Sequence, residues 1–454
     1  MQVLESCYSR PEFGLRVLVN KSLVSISEYD KIEMHDLIQD MGKCIVQKGK
    51  HLGEHSRLWN VEDFKEEMDN NMGTKAVEAI WFTYSKKLCF SKDAMKNMQR
   101  LRILRIQNYP FTFPSDSEDG SIEYLPNNLC WFVWHSYPWK LLPENFNPRR
   151  LVHLDLQWNS LHYLWKETEL QQFLSLRRID LRHSNRLKRT PDFKGMPNLE
   201  YLDLEDCTSL EEVHPSLKDC KKLMKLNLSY CTKLERFPYV NVESLESLNL
   251  KYCSSLQKFP ELILGIRELP LSFFDHQLHL TELNLSEMDN LVSLPSSICK
   301  SKGLVKLSVK RCSKLESLPE EIGDLENLEK LDARDTLISR PPSSIIRLNK
   351  LKSLTFGKQK PEDTVNFVFP QVNEGLLSLE ILNLNYCNII DGGLPEDIGS
   401  LSSLKELNLK GNNFDHLPRS ISQLGALEYL DLSDCKKLTQ LPEFPQKLHE
   451  IYAD

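Results

Sequence analysis

Between Leu101 and Leu441 the chain repeats one phrase fourteen times: leucine, two residues, leucine, one residue, leucine, then a small polar residue or cysteine, with other apolar residues standing in at some positions. Leu199-Leu202-Leu204-Cys207 and Leu223-Leu226-Leu228-Cys231 are two copies, and the copies begin at 101, 129, 151, 176, 199, 223, 245, 280, 304, 328, 351, 379, 404 and 427. Most steps are 22 to 25 residues. That period with that consensus builds a leucine-rich-repeat solenoid. No copy can bury its leucines alone, so stacking must supply the core. The expected fold class is an α/β solenoid, a leucine-rich-repeat horseshoe with a parallel β-sheet on its concave face. Function then belongs to a surface more than to a catalytic cleft.

The apolar fraction of 41% is ample for such a core, and a net charge of -7 argues against a nucleic-acid or anionic-membrane partner. No run of ~20 apolar residues is present to span a bilayer. Cys207, Cys231, Cys253, Cys312, Cys387 and Cys435 share one repeat position, filled elsewhere by Asn159, Ser184, Thr336 or Asn412. At that position a side chain turns inward after the strand and bonds neighbouring backbone, which a small buried thiol can do. The spacing of successive repeats, about 5 Å, would also tolerate a disulfide; reduced ladder cysteines in a reducing compartment are the expectation. No CxxC pair suggests zinc. Asn20, Asn227 and Asn284 match the glycosylation pattern, two of them within a repeat strand, and are read as chance. There is no Gly-Lys-Ser/Thr, no Gly-x-Ser-x-Gly and no His-Glu-x-x-His, so no enzyme activity and no metal or cofactor are expected of this chain.

The first hundred residues do not obey the phrase. Phe13 to Asn20 reads as a helix end, Ser22 to Ser27 alternates like a strand, Glu28 to Lys31 is a polar turn, and Ile32 to Met34 starts a returning strand. Asp36 then opens a helix as its cap, followed by Leu37, Ile38, Met41, Cys44 and Ile45 at helical spacing. Helix, hairpin and helix predict the end of a winged-helix unit over residues 1–60. Residues 35–46 hold one Lys and no Arg, which does not suit a DNA-reading helix. Residues 61–100 are expected to connect and cap the solenoid, with a helix from Val61 to Met68, a strand from Ala76 to Phe82 and a helix from Ser91 to Met98; residues 101–454 carry the repeats. Leu-Pro and Phe-Pro pairs such as Leu294-Pro295 and Leu417-Pro418 limit regular helix on the convex side, leaving turns, 3₁₀ pieces and short helices. Two long steps, holding 262–277 and 358–371, predict rim loops of the kind that bind ligands.

Several runs occur in a family's order: Gly14-Leu-Arg-Val-Leu-Val-Asn-Lys-Ser, Ile32-Glu-Met-His-Asp-Leu-Ile-Gln-Asp-Met-Gly-Lys, Ser56-Arg-Leu-Trp, Asn71-Met-Gly-Thr-Lys-Ala-Val and Leu129-Cys-Trp-Phe-Val-Trp-His-Ser-Tyr-Pro-Trp. Together they resemble plant intracellular immune receptors of the TIR, nucleotide-binding (NB-ARC) and leucine-rich-repeat type. The resemblance implies that TIR and P-loop domains would lie upstream and that residues 1 to about 50 would end the nucleotide-binding module. His35 would match the histidine that contacts the ADP β-phosphate at rest, and Asp36 would hold the surrounding fold. It implies a disease resistance sensor that binds a pathogen effector or a guarded host protein. The repeats would pack on the nucleotide-binding module in cis and control its ADP/ATP switch. The setting would be cytoplasmic or nucleo-cytoplasmic, with oligomers formed only by the activated full-length receptor. NAD cleavage would belong to the TIR domain. The rival expectation is a generic intracellular repeat scaffold without an immune role.

The repeat frame itself points certain side chains at the concave face. The candidates for ligand recognition are Trp131, His153, Trp158, Arg178, Arg182, Tyr201, Asp203, Glu205, Tyr230, Tyr252, Lys306, Lys310, Arg311 and Arg334. Their charges predict patches, basic near 178–183, acidic near 203–206 and basic near 306–311, suited to a protein with complementary patches.

Overall fold

The structure is a computed structural model that describes residues 2–8, 10–27, 32–47, 54–69, 75–85, 93, 95–108, 122–165, 172–237, 244–256, 279–358 and 365–453. The chain divides into two compact units, Met1–Cys207 and Thr208–Asp454.

The first unit opens with helices α1 (Gln2–Cys7) and α2 (Pro11–Asn20). An antiparallel hairpin follows, β1 (Ser25–Ile26) with β2 (Ile32–Glu33), and then helix α3 (Asp36–Gln47). The strand expected from Ser22 is shorter because α2 ends in a backbone cap. Lys21 N–H bonds Val17 O, Leu23 N–H bonds Leu18 O, and Ser22 takes the left-handed conformation at φ 56°, which uses those residues to satisfy the last carbonyls of the helix. The turn expected over 28–31 lies outside the described residues. Leu37, Met41 and Ile45, four residues apart on α3, are all exposed, so this helix shows an apolar stripe to solvent.

Asn60 caps the next helix, α4 (Val61–Asp69), as its Oδ1 accepts Asp63 N–H at 2.7 Å. Buried Phe64 on that helix lies 4.9 Å from the Phe82 ring. The surrounding segment does more than connect. Strands β3 (Arg57–Leu58) and β4 (Ala79–Tyr84) pair in parallel with each other, and β4 pairs with β5 (Ile103–Asn108). The sheet therefore begins before the first leucine phrase. The helix expected over 91–98 is not formed in its described part. Lys96 N–H bonds Asp93 O and Met98 N–H bonds Met95 O, three-residue turns that bury Met95 and Met98.

Strands β6 (Trp131–Trp134), β7 (His153–Asp155), β8 (Arg178–Asp180) and β9 (Tyr201–Asp203) continue the ladder of the first unit. Their register aligns Leu104, Phe132, Leu154, Ile179 and Leu202 in one buried row. The second unit carries β10 (Lys225–Asn227), β11 (Ser247–Asn249), β12 (Glu282–Asn284), β13 (Lys306–Ser308), β14 (Lys330–Asp332), β15 (Ser353–Thr355), β16 (Ile381–Asn383), β17 (Glu406–Asn408), β18 (Tyr429–Asp431) and β19 (Glu450–Tyr452). Each from β10 to β18 pairs in parallel with its successor, so Leu226, Leu248, Leu283, Leu307 and Leu331 form a second row. Each expected phrase thus yields a strand, and β19 adds one more. Each unit is built as a parallel-strand β-solenoid.

The return segments are turns and 3₁₀ helices, as at Ser296–Lys300, Ser343–Arg347 and Arg419–Gln423, each led by a proline. They stack closely: a Cβ on Gly399 would stand 2.2 Å from Ser420 O. Residues 262–277 lie outside the described residues, as do 359–364. The rest of the second long step is no free loop: Phe367 and Phe369 are buried, and Phe369 N–H bonds Gly393 O at 2.9 Å.

The ladder cysteines act as expected. The thiols of Cys207, Cys253, Cys312 and Cys435 reach Leu181 O, Leu228 O, Leu285 O and Leu409 O at 3.1–3.3 Å. All six are free thiols. Asn412 fills the same place more fully, donating to Leu384 O and Leu409 O while its Oδ1 accepts Ile389 N–H.

Candidate recognition face and phosphate-sensing turn

Three columns run along each unit's exposed strand face. The first is the opening residue of each strand, aligned by register: Trp131, His153, Arg178 and Tyr201 in the first unit. The second lies two residues on and consists mostly of Asp and Asn. These side chains turn back to their own backbone. Asp155, Asp180 and Asp203 accept the N–H of Gln157, Arg182 and Glu205, and Asn227, Asn249, Asn284, Asn383 and Asn408 do the same in the second unit. They are Asx turns that end the strand. Asp203, expected to recognise ligand, thus has a structural bond.

The third column includes the expected Trp158, Tyr230, Tyr252 and Arg311, and its backbone conformation is not apparent from the leucine phrase. Ser136, Trp158, His183, Asp206, Tyr230, Tyr252, Glu287, Arg311, Asp335, Tyr386, Gly411 and Asp434 all have φ between 52° and 68°. Each precedes the inward ladder residue in a left-handed turn. Left-handed geometry costs an L-residue ~1–2 kcal/mol, so the pairing of neighbours has something to offset. Trp158 stacks on His183 at 4.0 Å and Tyr230 on Tyr252 at 4.9 Å, both at 19°. Gly411 is required where it stands: a Cβ there would meet the Tyr386 ring at 2.1 Å. Tyr386 passes over it and donates its hydroxyl to Asp434 Oδ2 at 2.8 Å.

In the first unit, Arg105 lies 4.4 Å over the Trp81 ring, Trp81 meets Trp131 edge-on at 5.2 Å, and Trp131 contacts His153 at 6.1 Å. Arg178 lies over Tyr201 at 5.4 Å. Trp131 Nε1 and His153 Nε2 have no hydrogen-bond partner among the described residues. Burial lowers the pKa of His153, against the pull of Asp155, which favours the neutral ring. His135 bonds Asp155 at 3.3 Å. Burial works to raise the Asp155 pKa, but that bond and the nearby histidines outweigh it and lower it. Asp203 goes the other way, pushed up to about 6 by burial and then by Asp180.

The expected charge patches are not free. Arg182 bonds Asp180 at 3.0 Å and lies 3.8 Å from Asp203, and His183 bonds Asp206 at 2.9 Å. In the second unit, Arg311 lies between Glu287 and Asp335, Arg334 bonds Asp332, and Lys306 bonds Glu282. Opposite charges recur along the columns and neutralise each other locally, so the face is polar and aromatic more than patched by sign. Lys251 joins Tyr230 (2.9 Å to its hydroxyl) to Glu287 (3.5 Å) beside Tyr252. Lys310 is half-buried, and Glu205 holds the chain through its carbonyl, which accepts His183 N–H.

His35 and Asp36 stand apart, at the start of α3. The expected cap role of Asp36 belongs to His35. The His35 carbonyl accepts Ile38 N–H and Gln39 N–H, and its Nδ1 accepts Leu37 N–H at 3.2 Å. Asp36 is the exposed first residue of the helix, with no bond to hold the surroundings among the described residues. With Nδ1 occupied as acceptor, a neutral His35 carries its proton on Nε2, a donor on an exposed ring at a helix N-terminus. Among the described residues, no group of three or more His, Cys, Asp or Glu is placed to hold a metal, and no helix is long and apolar enough to cross a membrane.

Residues 1–49 match the family described as "Disease resistance protein Roq1-like, winged-helix domain", and 378–436 and 426–448 match leucine-rich-repeat families. TMV resistance protein N of Nicotiana glutinosa is 58% identical over 468 residues, covering 100% of this chain and 40% of that protein. The chain belongs to the plant disease resistance proteins. Its leucine-rich repeats follow a winged-helix sequence like that of these proteins. Disease resistance-like protein DSC1 of Arabidopsis thaliana is 34% identical, covering 96% of the chain and 38% of that protein. The chain therefore spans about two fifths of the length of these relatives. The solenoid fold is shared more widely: a leucine-rich-repeat protein of Leptospira interrogans superposes with a TM-score of 0.58 at 22% identity, covering 83% of this chain and 94% of that one.

Proposed function

We propose that this disease resistance region is the sensor of an intracellular receptor. Its strand face binds a pathogen effector or a host protein altered by one, and its N-terminal part reports the nucleotide state of the receptor. The observation that carries this reading is the preassembled aromatic face. Trp81, Arg105, Trp131 and His153 in one unit, and Tyr230, Lys251, Tyr252 and Glu287 in the other, are held by each other before any ligand arrives. Aromatic and cationic side chains that are already ordered lose little entropy on binding, and such residues dominate protein interfaces.

Two further observations support the switch. The exposed stripe Leu37, Met41 and Ile45 on α3 suits packing against the nucleotide-binding module in cis. The exposed His35, with its Nε2 proton fixed by the cap, suits donation to an ADP phosphate. ADP and ATP would be bound by the complete receptor, in the cytoplasm or in both cytoplasm and nucleus, and no catalytic step is assigned to these residues. Ligand binding shifts the closed state only through its differential affinity for the open one.

The test uses the complete receptor expressed in leaf tissue with its eliciting ligand. Trp131→Ala and Tyr252→Ala are expected to lose the cell-death response to ligand at unchanged protein level. His35→Ala is expected to signal without ligand. Full ligand response in both face variants would reject the recognition role, and a quiescent His35→Ala receptor would reject the phosphate-sensing role.

A further inference from the structure

The six-residue helix α1 lies against the edge of the first repeats, far in sequence from the residues it touches. Ser6 Oγ donates to Arg150 O at 2.7 Å, and Arg102 Nη1 donates to Cys7 O at 2.6 Å. Cys130, just ahead of β6, places its sulfur 3.4 Å from Ser6 O, and the Cys7 and Cys130 side chains hydrogen-bond to each other. Both are buried, at 4% and 1% exposure. Like the ladder cysteines, Cys130 reaches backbone carbonyls, those of Ser6 and Asn128, but it also has a second thiol beside it.

We propose that Cys7 and Cys130 are a redox-modification site, two thiols that a hydroperoxide converts into a disulfide tying the first helix to the repeat that contains β6. Ser6 O lies 3.4 Å from the Cys130 sulfur and the Cys7 side chain bonds that of Cys130, so closure needs no large backbone movement. Their acidities divide the labour. The bond from Cys7, with help from Ser6 and the charges of Arg150 and Arg102, outweighs burial and brings the Cys130 thiol down to about 6, while Cys7 is pushed well up. Burial instead raises Cys253 and Cys387 to about 12 and Cys312 to about 11. Cys130 is thus the thiolate nucleophile and Cys7 the resolving thiol.

The Cys130 thiolate attacks one peroxide oxygen. An S–O bond forms, the O–O bond breaks, and the leaving alkoxide takes a proton. Cys7 then attacks the sulfenic sulfur. An S–S bond forms, and hydroxide leaves and takes up the Cys7 proton as water. Two thiols and one hydroperoxide give one disulfide, one alcohol and one water, the two sulfurs supplying two electrons. A dithiol reductant reverses it. A helix as short as α1 is marginal by itself, so its transient lifting admits the oxidant.

The test takes the reduced full chain, exposes it to hydrogen peroxide under native conditions, alkylates the remaining thiols in denaturant and maps the digest by mass spectrometry. The expected product is a linked pair of peptides carrying Cys7 and Cys130, lighter by two hydrogens and lost on dithiothreitol treatment, with the ladder cysteines alkylated. Cys7→Ser should stop the reaction at a Cys130 sulfenic acid that dimedone traps, which keeps the test open if Cys130→Ser fails to fold. Oxidation of exposed Cys44 while Cys7 and Cys130 stay alkylated would overturn the proposal. So would a Cys130 that over-oxidises in wild-type protein with Cys7 still free.

Discussion

At the scale of single residues, backbone conformation decides more than side-chain type. Asp203 is the clearest case. Its Oδ1 closes an Asx turn onto Glu205 N–H, yet burial and Asp180 push its pKa up to about 6, against ~4 for an unfolded aspartate. Between those values the native state holds a proton that the unfolded state has released. Stability from this group is therefore present below pH ~4 and is lost as pH rises through 6, by at most about 1 kcal/mol per pH unit. Asp203→Asn keeps the acceptor and removes the charge. Its melting temperature should match wild type near pH 4 and exceed it at pH 7, and an equal pH profile for both would contradict the assignment. Sequence patterning placed Asp203 on the strand face but gave no sign of the Asx turn, because the turn depends on φ and ψ two residues on. It likewise placed Arg182, Arg311 and Arg334 there without revealing their internal partners, which come from neighbouring columns.

At the scale of elements, legibility follows the strength of the period. The strands β5 to β18 could be read from the leucines because each leucine row has one way to be buried. Leu307, 1% exposed between Leu283 and Leu331, shows what such a row contributes. Leu307→Ala should cost about 2–5 kcal/mol, read as a lower denaturant midpoint. Lys306→Ala beside it, an exposed partner of Glu282, should move the midpoint little. Strand β3 was missed because two residues carry no periodicity. Over 91–98 the signal fits two conformations: Met95, Met98 and Leu101 at intervals of three suit a chain of turns as well as a helix, and the described residues form turns that bury them. The α3 cap was assigned to Asp36 from composition, whereas the hydrogen bonds to Leu37, Ile38 and Gln39 start one residue earlier.

At the scale of the whole molecule, each repeat touches its neighbours and little else, so stability is distributed along the chain. Strand β14 is paired on both edges, while β19 pairs only with β18 among the described strands and is exposed at all three residues. Amide hydrogen exchange should therefore be faster at Glu450–Tyr452 than at Lys330–Asp332; equal protection would show that the repeats open as one block. The left-handed column has a different consequence. Among its members from Ser136 to Asp434 there is neither proline nor a β-branched residue, the types that this backbone tolerates least. Gly411 apart, where a Cβ would strike the Tyr386 ring, the unbranched side chains can be exchanged there without disturbing the leucine rows beneath. The column works like movable type set in a fixed frame: a lineage can reword what the surface reads, one repeat at a time, while the chain beneath keeps folding as before.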